Sequence, residues 1–138
     1  MADVISSRNI FDGGRKVIQS YTNVSDGTGD STMIIDVGNL AKNNAGQSCT
    51  NVILQKIWFN ITTAAFTRPV QLQWNVGGGT NVNIFSLSGG DSWDFTSFGG
   101  ITNSGAANAS GDVMIVVPGS IVSGESVSCV TEWIKTYG

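Results

Sequence analysis

The chemistry open to this chain begins with its carboxylates. Asp26 and Asp30 bracket Gly27-Thr28-Gly29, a spacing that invites a calcium loop. The segment lacks the further acidic ligands and the bidentate Glu of an EF-hand. With Gly27 and Gly29 able to take positive φ, it reads instead as a hairpin turn. Asp91 and Asp94 flank Ser92-Trp93, and paired carboxylates beside an aromatic are the machinery of glycoside hydrolysis. Positions i and i+3 of a strand face opposite sides, so these two acids do not converge. Asp91 is expected to close the Gly89-Gly90 turn. Gly77-Gly78-Gly79-Thr80 is glycine-rich but has neither the lysine nor the following helix of a phosphate loop, and it fits no dinucleotide pattern.

Nothing in the chain can activate a nucleophile through an imidazole, because it holds no histidine. That excludes Ser-His-Asp triads, Cys-His pairs and histidine-ligated zinc. No catalytic, cofactor-binding or metal-ligating residue is assigned, no cofactor is expected, and a non-enzymatic role follows. Two cysteines, Cys49 and Cys129, cannot hold a metal alone. One disulfide is open to them, but isolated thiols in an unexported protein are expected to be buried and reduced. Sequons at Asn23, Asn60 and Asn108 arise readily in a chain rich in Asn, Ser and Thr, and carry no meaning without export.

Charge narrows the partners. Only 12% of the residues are charged and the net charge is −3. The seven Lys and Arg are scattered, with Arg15-Lys16 the one adjacent pair, so binding to nucleic acid by phosphate neutralisation is disfavoured. Weak charge also offers little resistance to packing beside further copies. No run approaches the roughly 20 apolar residues of a membrane span. Met1 to Phe11 lacks the apolar core of a signal peptide, so synthesis and folding in a cytoplasm are expected.

The elements that must position these residues are strands. Val70, Leu72, Trp74 and Val76 alternate with Gln71, Gln73 and Asn75, which makes one buried and one wet face and places Trp74 in the core. From Val52 to Ile61 both faces are apolar: Val52, Leu54 and Trp58 on one side, Ile53, Ile57, Phe59 and Ile61 on the other. Such a strand is central or covered by a neighbouring subunit. Val127, Cys129, Thr131 and Trp133 alternate with Ser128, Val130, Glu132 and Ile134 in the last run, Val127 to Tyr137. Further strands are expected over Val4–Phe11, Lys16–Val24, Thr32–Val37, Val82–Leu87, Ser92–Phe95 and Val113–Val117. Glycine- and Asn-rich turns separate most of them, including Pro118-Gly119 and Ser123-Gly124. Leu40-Ala41-Lys42 has room for one helical turn, and Thr102 to Gly111 reads as the longest exposed loop.

Eight or nine short strands at near-regular spacing indicate a two-sheet sandwich or barrel. The expectation is an all-β, antiparallel β-sandwich, with a jelly roll among its forms, in a single domain over 1–138. Residues 1–14 are either an arm for a neighbour's sheet edge or the first strand of the chain's own sandwich. The four Trp all fall within expected strands, where core or subunit contact outweighs a sugar-stacking platform.

Several segments, taken in order, carry a resemblance. They are Asp12-Gly-Gly-Arg-Lys-Val-Ile18, Tyr21 to Ser31, Asp36-Val-Gly-Asn-Leu40, Ile57-Trp-Phe-Asn-Ile61, Leu72-Gln-Trp74, Trp93-Asp-Phe95 with Phe98-Gly-Gly-Ile101, and Lys135-Thr-Tyr-Gly138. Over nearly the whole chain this series resembles small virion structural proteins of tailed bacteriophages. The resemblance implies a capsid decoration (cement) protein on the virion surface. Its partners would be the major capsid protein and further copies of itself, a trimer being the favoured homo-oligomer. It implies no catalytic residues. A tail, neck or fibre-associated module, touching host glycans through Trp or Tyr, is the other role it leaves open. A cell-envelope hydrolase is disfavoured by the missing histidine and unpaired acids.

Overall fold

The computed structural model describes residues 4–24, 29–61, 70–76, 81–87, 89–102, 109–117 and 126–137. The expected turns at 25–28, 77–79, 118–119 and 123–124, and the sequon at Asn108, lie outside them. Among the described residues nine strands form: β1 Val4–Asp12, β2 Lys16–Val24, β3 Asp30–Ile35, β4 Cys49–Ile61, β5 Val70–Val76, β6 Val82–Leu87, β7 Gly90–Asp94, β8 Ala109–Val117 and β9 Ser126–Tyr137. Each overlaps a run expected as a strand, though Val37 and Phe95, expected as strand ends, fall at the short turns Val37–Asn39 and Thr96–Phe98. β8 begins inside the expected 102–111 loop, and 103–108 lie outside the described residues.

All pairings are antiparallel. One sheet has the order β1-β2-β9-β4-β7 and the other β3-β8-β5-β6. The order follows from doubling the chain back on itself. β2 pairs with β9, β3 with β8, β4 with β7 and β5 with β6. Wrapping that long double ribbon then brings β4 beside β9 and β5 beside β8. This is a jelly roll, with β1 added as a fifth strand outside β2. Residues 4–12 therefore pair with the chain's own β2, in register from Val4↔Val24 to Asp12↔Val17.

The core lies between the sheets and is built from the inward rows. Leu72 and Trp74 of β5, Val113 and Ile115 of β8, and Val127, Thr131 and Trp133 of β9 are all buried. Each fully buried Leu or Ile contributes about 1.5–3 kcal/mol relative to exposure. Trp74 meets Trp133 edge to face at 6.0 Å between ring centroids, joining the two sheets.

Two expectations are corrected. The helical turn is at Val37–Asn39, not Leu40-Ala41-Lys42. Asp36 caps it by accepting the Gly38 N–H, and Leu40 plugs into the core beyond it. The face assignment in β4 also changes. Leu54 pairs with Trp133 and Lys56 with Glu132, so Gln55 is an extra residue in a β-bulge. The bulge shifts the phase. Val52 and Leu54 face the core before it, and Ile57, Phe59 and Ile61 after it, while Trp58 turns outward. The cause is tertiary. The Gln55 carbonyl accepts the Phe95 N–H, its side-chain amide donates to the Gly99 carbonyl, and Leu54 exchanges backbone bonds with Ile101. Gly100, at φ +92, lies so close that a Cβ would come within 2.5 Å of Gln55 Nε2 and 2.7 Å of Leu54 O.

Both cysteines are free and buried. Cys49 pairs with Tyr137 and Cys129 with Phe59, which puts the cysteines at opposite ends of the β4–β9 ribbon. At about 3.4 Å per strand residue they are roughly 27 Å apart, far beyond disulfide reach. Burial pushes the Cys129 thiol from 9.0 up to about 12 and raises Cys49 as well. Native protein at pH 8 is expected to take up no iodoacetamide at Cys129, and denatured protein to react fully. A raised folded pKa means the thiol's contribution to stability is complete below pH 9 and is lost as pH climbs toward 12. Rapid native alkylation of Cys129 would contradict this burial.

Candidate functional site

The acids single out no reaction centre. Asp91 faces Phe59 and Asp94 faces Lys56 across the β4–β7 pair, so the two point to opposite sides as expected. Each is engaged locally. Asp91 accepts the Ser92 N–H at 2.8 Å, and Asp94 accepts from the Thr96 N–H at 2.9 Å and its hydroxyl at 2.6 Å. Those Thr96 bonds hold the Asp94 carboxyl below its usual range. Among the described residues, no three of Cys, Asp and Glu come together as a metal group would. Asp30 heads β3 and accepts from Thr32 Oγ1, while Asp26 lies outside the described residues.

A buried ion pair was missed in the sequence. Lys135 continues the inward row of β9 beyond Trp133, and its side chain is fully buried. Its ammonium is enclosed by the Asp12 carboxylate, the Gly13 carbonyl at 2.6 Å and the Ala41 carbonyl at 3.1 Å. Asp12 Oδ2 in turn accepts the Ala41 N–H, and the Tyr137 hydroxyl donates to the Gly14 carbonyl. This cluster ties the end of β1, the loop after the Val37–Asn39 turn and the C-terminal strand together. It is a latch with every ammonium proton used, not an active site. The signal was present: Lys135 sits two residues past Trp133.

The exposed chemistry is aromatic. The four Trp divide into two pairs. Trp74 and Trp133 are core, as expected, while Trp58 and Trp93 remain 44% and 48% exposed. Trp93 lies on β7, the edge of one sheet, and faces Phe85 on β6, the edge of the other, at 6.2 Å. Phe95 stacks obliquely on Phe85 at 5.5 Å, and Phe98 on Phe95 at 6.0 Å. These rings close the open side of the sandwich. Phe98, on the short turn Thr96–Phe98, is 67% exposed. Each ring pair adds about 0.5–1.5 kcal/mol beyond burial, so the rim is held in shape before any partner arrives.

Trp58 belongs to a different surface, the outer face of the five-stranded sheet. The strand registers align Arg8, Ser20, Val130, Trp58 and Ser92 in one row across it. The next row is Ser6, Thr22, Ser128, Asn60 and Gly90. A groove of about 390 Å³ runs between Trp58, Asn60, Asp91, Ser128 and Val130. At the other end of the sheet a cleft of about 660 Å³ opens between Phe11, Arg15, Lys16 and Asn43. The outer face of the four-stranded sheet mixes polar and aliphatic residues. Its rows are Ser31, Val116, Gln71, Ser86 and Met33, Met114, Gln73, Asn83.

The geometry thus defines a nine-stranded jelly-roll sandwich whose exposed functional groups are aromatic. No protein-family model and no curated protein matches the chain. Among solved structures it is similar to a cupin domain from Bordetella pertussis Tohama I, at 13% identity and a TM-score of 0.36, covering 98% of this chain and 94% of that one. It is also similar to the capsid asymmetric unit of cyanophage Pam1, at 13% identity and a TM-score of 0.31, covering 96% and 86%. Neither likeness, at these scores, speaks to function.

Proposed function

We propose that this chain is a non-enzymatic virion structural protein, a capsid decoration protein that stabilises the head by binding the major capsid protein. The observation that carries the reading is the aromatic rim. Trp93 and Phe98 stand exposed on a preformed cluster at the open side of the sandwich, and rigid aromatic anchors of this kind dominate protein interfaces. The ordered motifs that resemble phage virion proteins support it, as does a chain without histidine. Docking through the rim leaves β1 free at the far edge of its sheet. Its residues Ile5 to Phe11 are exposed, and its open backbone edge can pair with a further copy, in a trimer. Such contacts rest on strand pairing and apolar burial, so they persist at high salt.

The test uses purified heads lacking the protein, with wild type and variants added back. Wild type is expected to bind at a copy number comparable with that of the major capsid protein, and to sediment as an oligomer in high salt. Trp93→Ala with Phe98→Ala is expected to weaken head binding by about thirtyfold or more, the loss of one interface hot spot. Wild-type affinity in the rim variant would remove the rim from the interface. A few copies confined to the tail or neck would move the protein out of the shell.

A further inference from the structure

Trp58 has no part in that rim. It stands on the opposite face of the sheet, and only the Gln55 bulge puts it there. With unbroken alternation from Val52 and Leu54, Trp58 would point into the core and Ile57 outward. Short polar side chains lie on one side of the exposed ring, and Lys56, with Asp94 and Glu132 across from it, lies on the other. Ser92 is its partner on β7, Asn60 lies two residues along β4, and Ser128 of β9 faces Asn60. On the other side of Asn60 is Gly90, where any side chain would press within 3.3 Å of Asn60 Oδ1, so the groove stays open beside the amide. The Trp58 indole N–H, the Asn60 amide and the Ser92 and Ser128 hydroxyls make no hydrogen bond to another described residue. Asp91, paired with the inward Phe59, contributes only its backbone to the groove's edge.

We propose that this groove binds a neutral saccharide, with one sugar ring stacked on Trp58 and its hydroxyls bonded to Asn60, Ser92 and Ser128. A sugar ring has an apolar C–H face and a rim of hydroxyls, and the groove offers a match for each. Its volume of about 390 Å³ lies at the lower end of small-ligand sites. The charged residues beside it on the same face, Lys56, Asp94, Glu132 and Lys16, balance one another, so an anionic ligand finds no net positive charge. A purely apolar side chain from a protein would strip water from Asn60 and Ser128 and return no hydrogen bond. The site is independent of head binding, because rim and groove lie on opposite faces of the sheet.

Proton–nitrogen NMR on the full-length protein can follow the four indole N–H signals. The Trp58 signal is identified by its loss in Trp58→Phe. The probes are glucose, galactose, N-acetylglucosamine and their short oligomers, with sialyllactose as the charged control. At least one neutral probe is expected to shift the Trp58 signal saturably, with a dissociation constant on the order of 1 mM. Trp58→Ala is expected to weaken that binding about tenfold, the loss of one stacking contact. Asn60→Ala weakens it in the same direction, while Trp93→Ala leaves it unchanged. Trp58 is half exposed, and dispersed spectra of both groove variants verify their folds. The proposal is overturned if no neutral probe gives a saturable shift, if sialyllactose binds more tightly, or if binding survives Trp58→Ala. Head binding by Trp58→Ala, expected at the wild-type level, is read separately and decides nothing about the sugar.

Discussion

Replacing Trp133 with alanine is expected to cost about 3–5 kcal/mol of folding stability, the range for truncating a buried large aromatic. Trp133 is 0% exposed, its indole N–H donates to Thr131 Oγ1 at 2.7 Å, and its ring edge meets Trp74 across the sandwich. Truncation leaves a cavity between strands that cannot close up, because β9 is paired on both sides, with β2 and β4. Trp74→Ala, at 3% exposure, is expected to fall in the same range. Against a total stability of about 5–15 kcal/mol, either change removes a large fraction. The double variant should lose less than the sum, by about 0.5–1.5 kcal/mol for the shared ring contact. Urea unfolding followed by circular dichroism measures all three. A loss under about 1 kcal/mol for either single variant, typical of surface changes, would place that ring outside the core.

Asp12→Ala is expected to be as damaging, at about 3–5 kcal/mol, though Asp12 is partly exposed. The cost falls on its partner. The Lys135 side chain is fully buried, and without the carboxylate its charge would be left with two carbonyls and no counter-ion. Lys135→Met should cost less, since it removes the buried charge and leaves an Asp12 side chain that is 23% exposed and can turn to water. The order of the two losses is the sharp result, read from the same urea titrations. If Lys135→Met proves the more harmful, the latch holds by packing of the lysine stem and not by charge. By contrast, the exposed Lys16–Glu132 pair at 3.5 Å should contribute little.

What the sequence determined by itself was everything that repeats along a strand. Period-two alternation indicated each of the nine described strands, put Trp74 in the core, set Val127, Cys129, Thr131 and Trp133 on one face, and separated Asp91 from Asp94. Gly13 and Gly14 marked the turn between β1 and β2, and Gly46 the loop before β4. Composition alone removed imidazole chemistry. These are local properties, set by geometry within a few residues. Tertiary structure decided the rest. Both faces of β4 are apolar in sequence, so nothing local distinguishes Trp58 inward from Trp58 outward. The choice is made at Gln55, where contacts from residues 95–101, distant in the chain, force an extra residue into the ladder. Alternation puts Lys135 on the row of Trp133, but only the fold supplies the Asp12, Gly13 and Ala41 groups, distant in the chain, that let a lysine be buried there. Trp93 and Phe98 look like core residues by type, yet they stay exposed because β6 and β7 end their sheets and no strand follows to cover them. Alternation specifies which residues share a face. Only the order and bulges of the assembled sheets specify what that face meets.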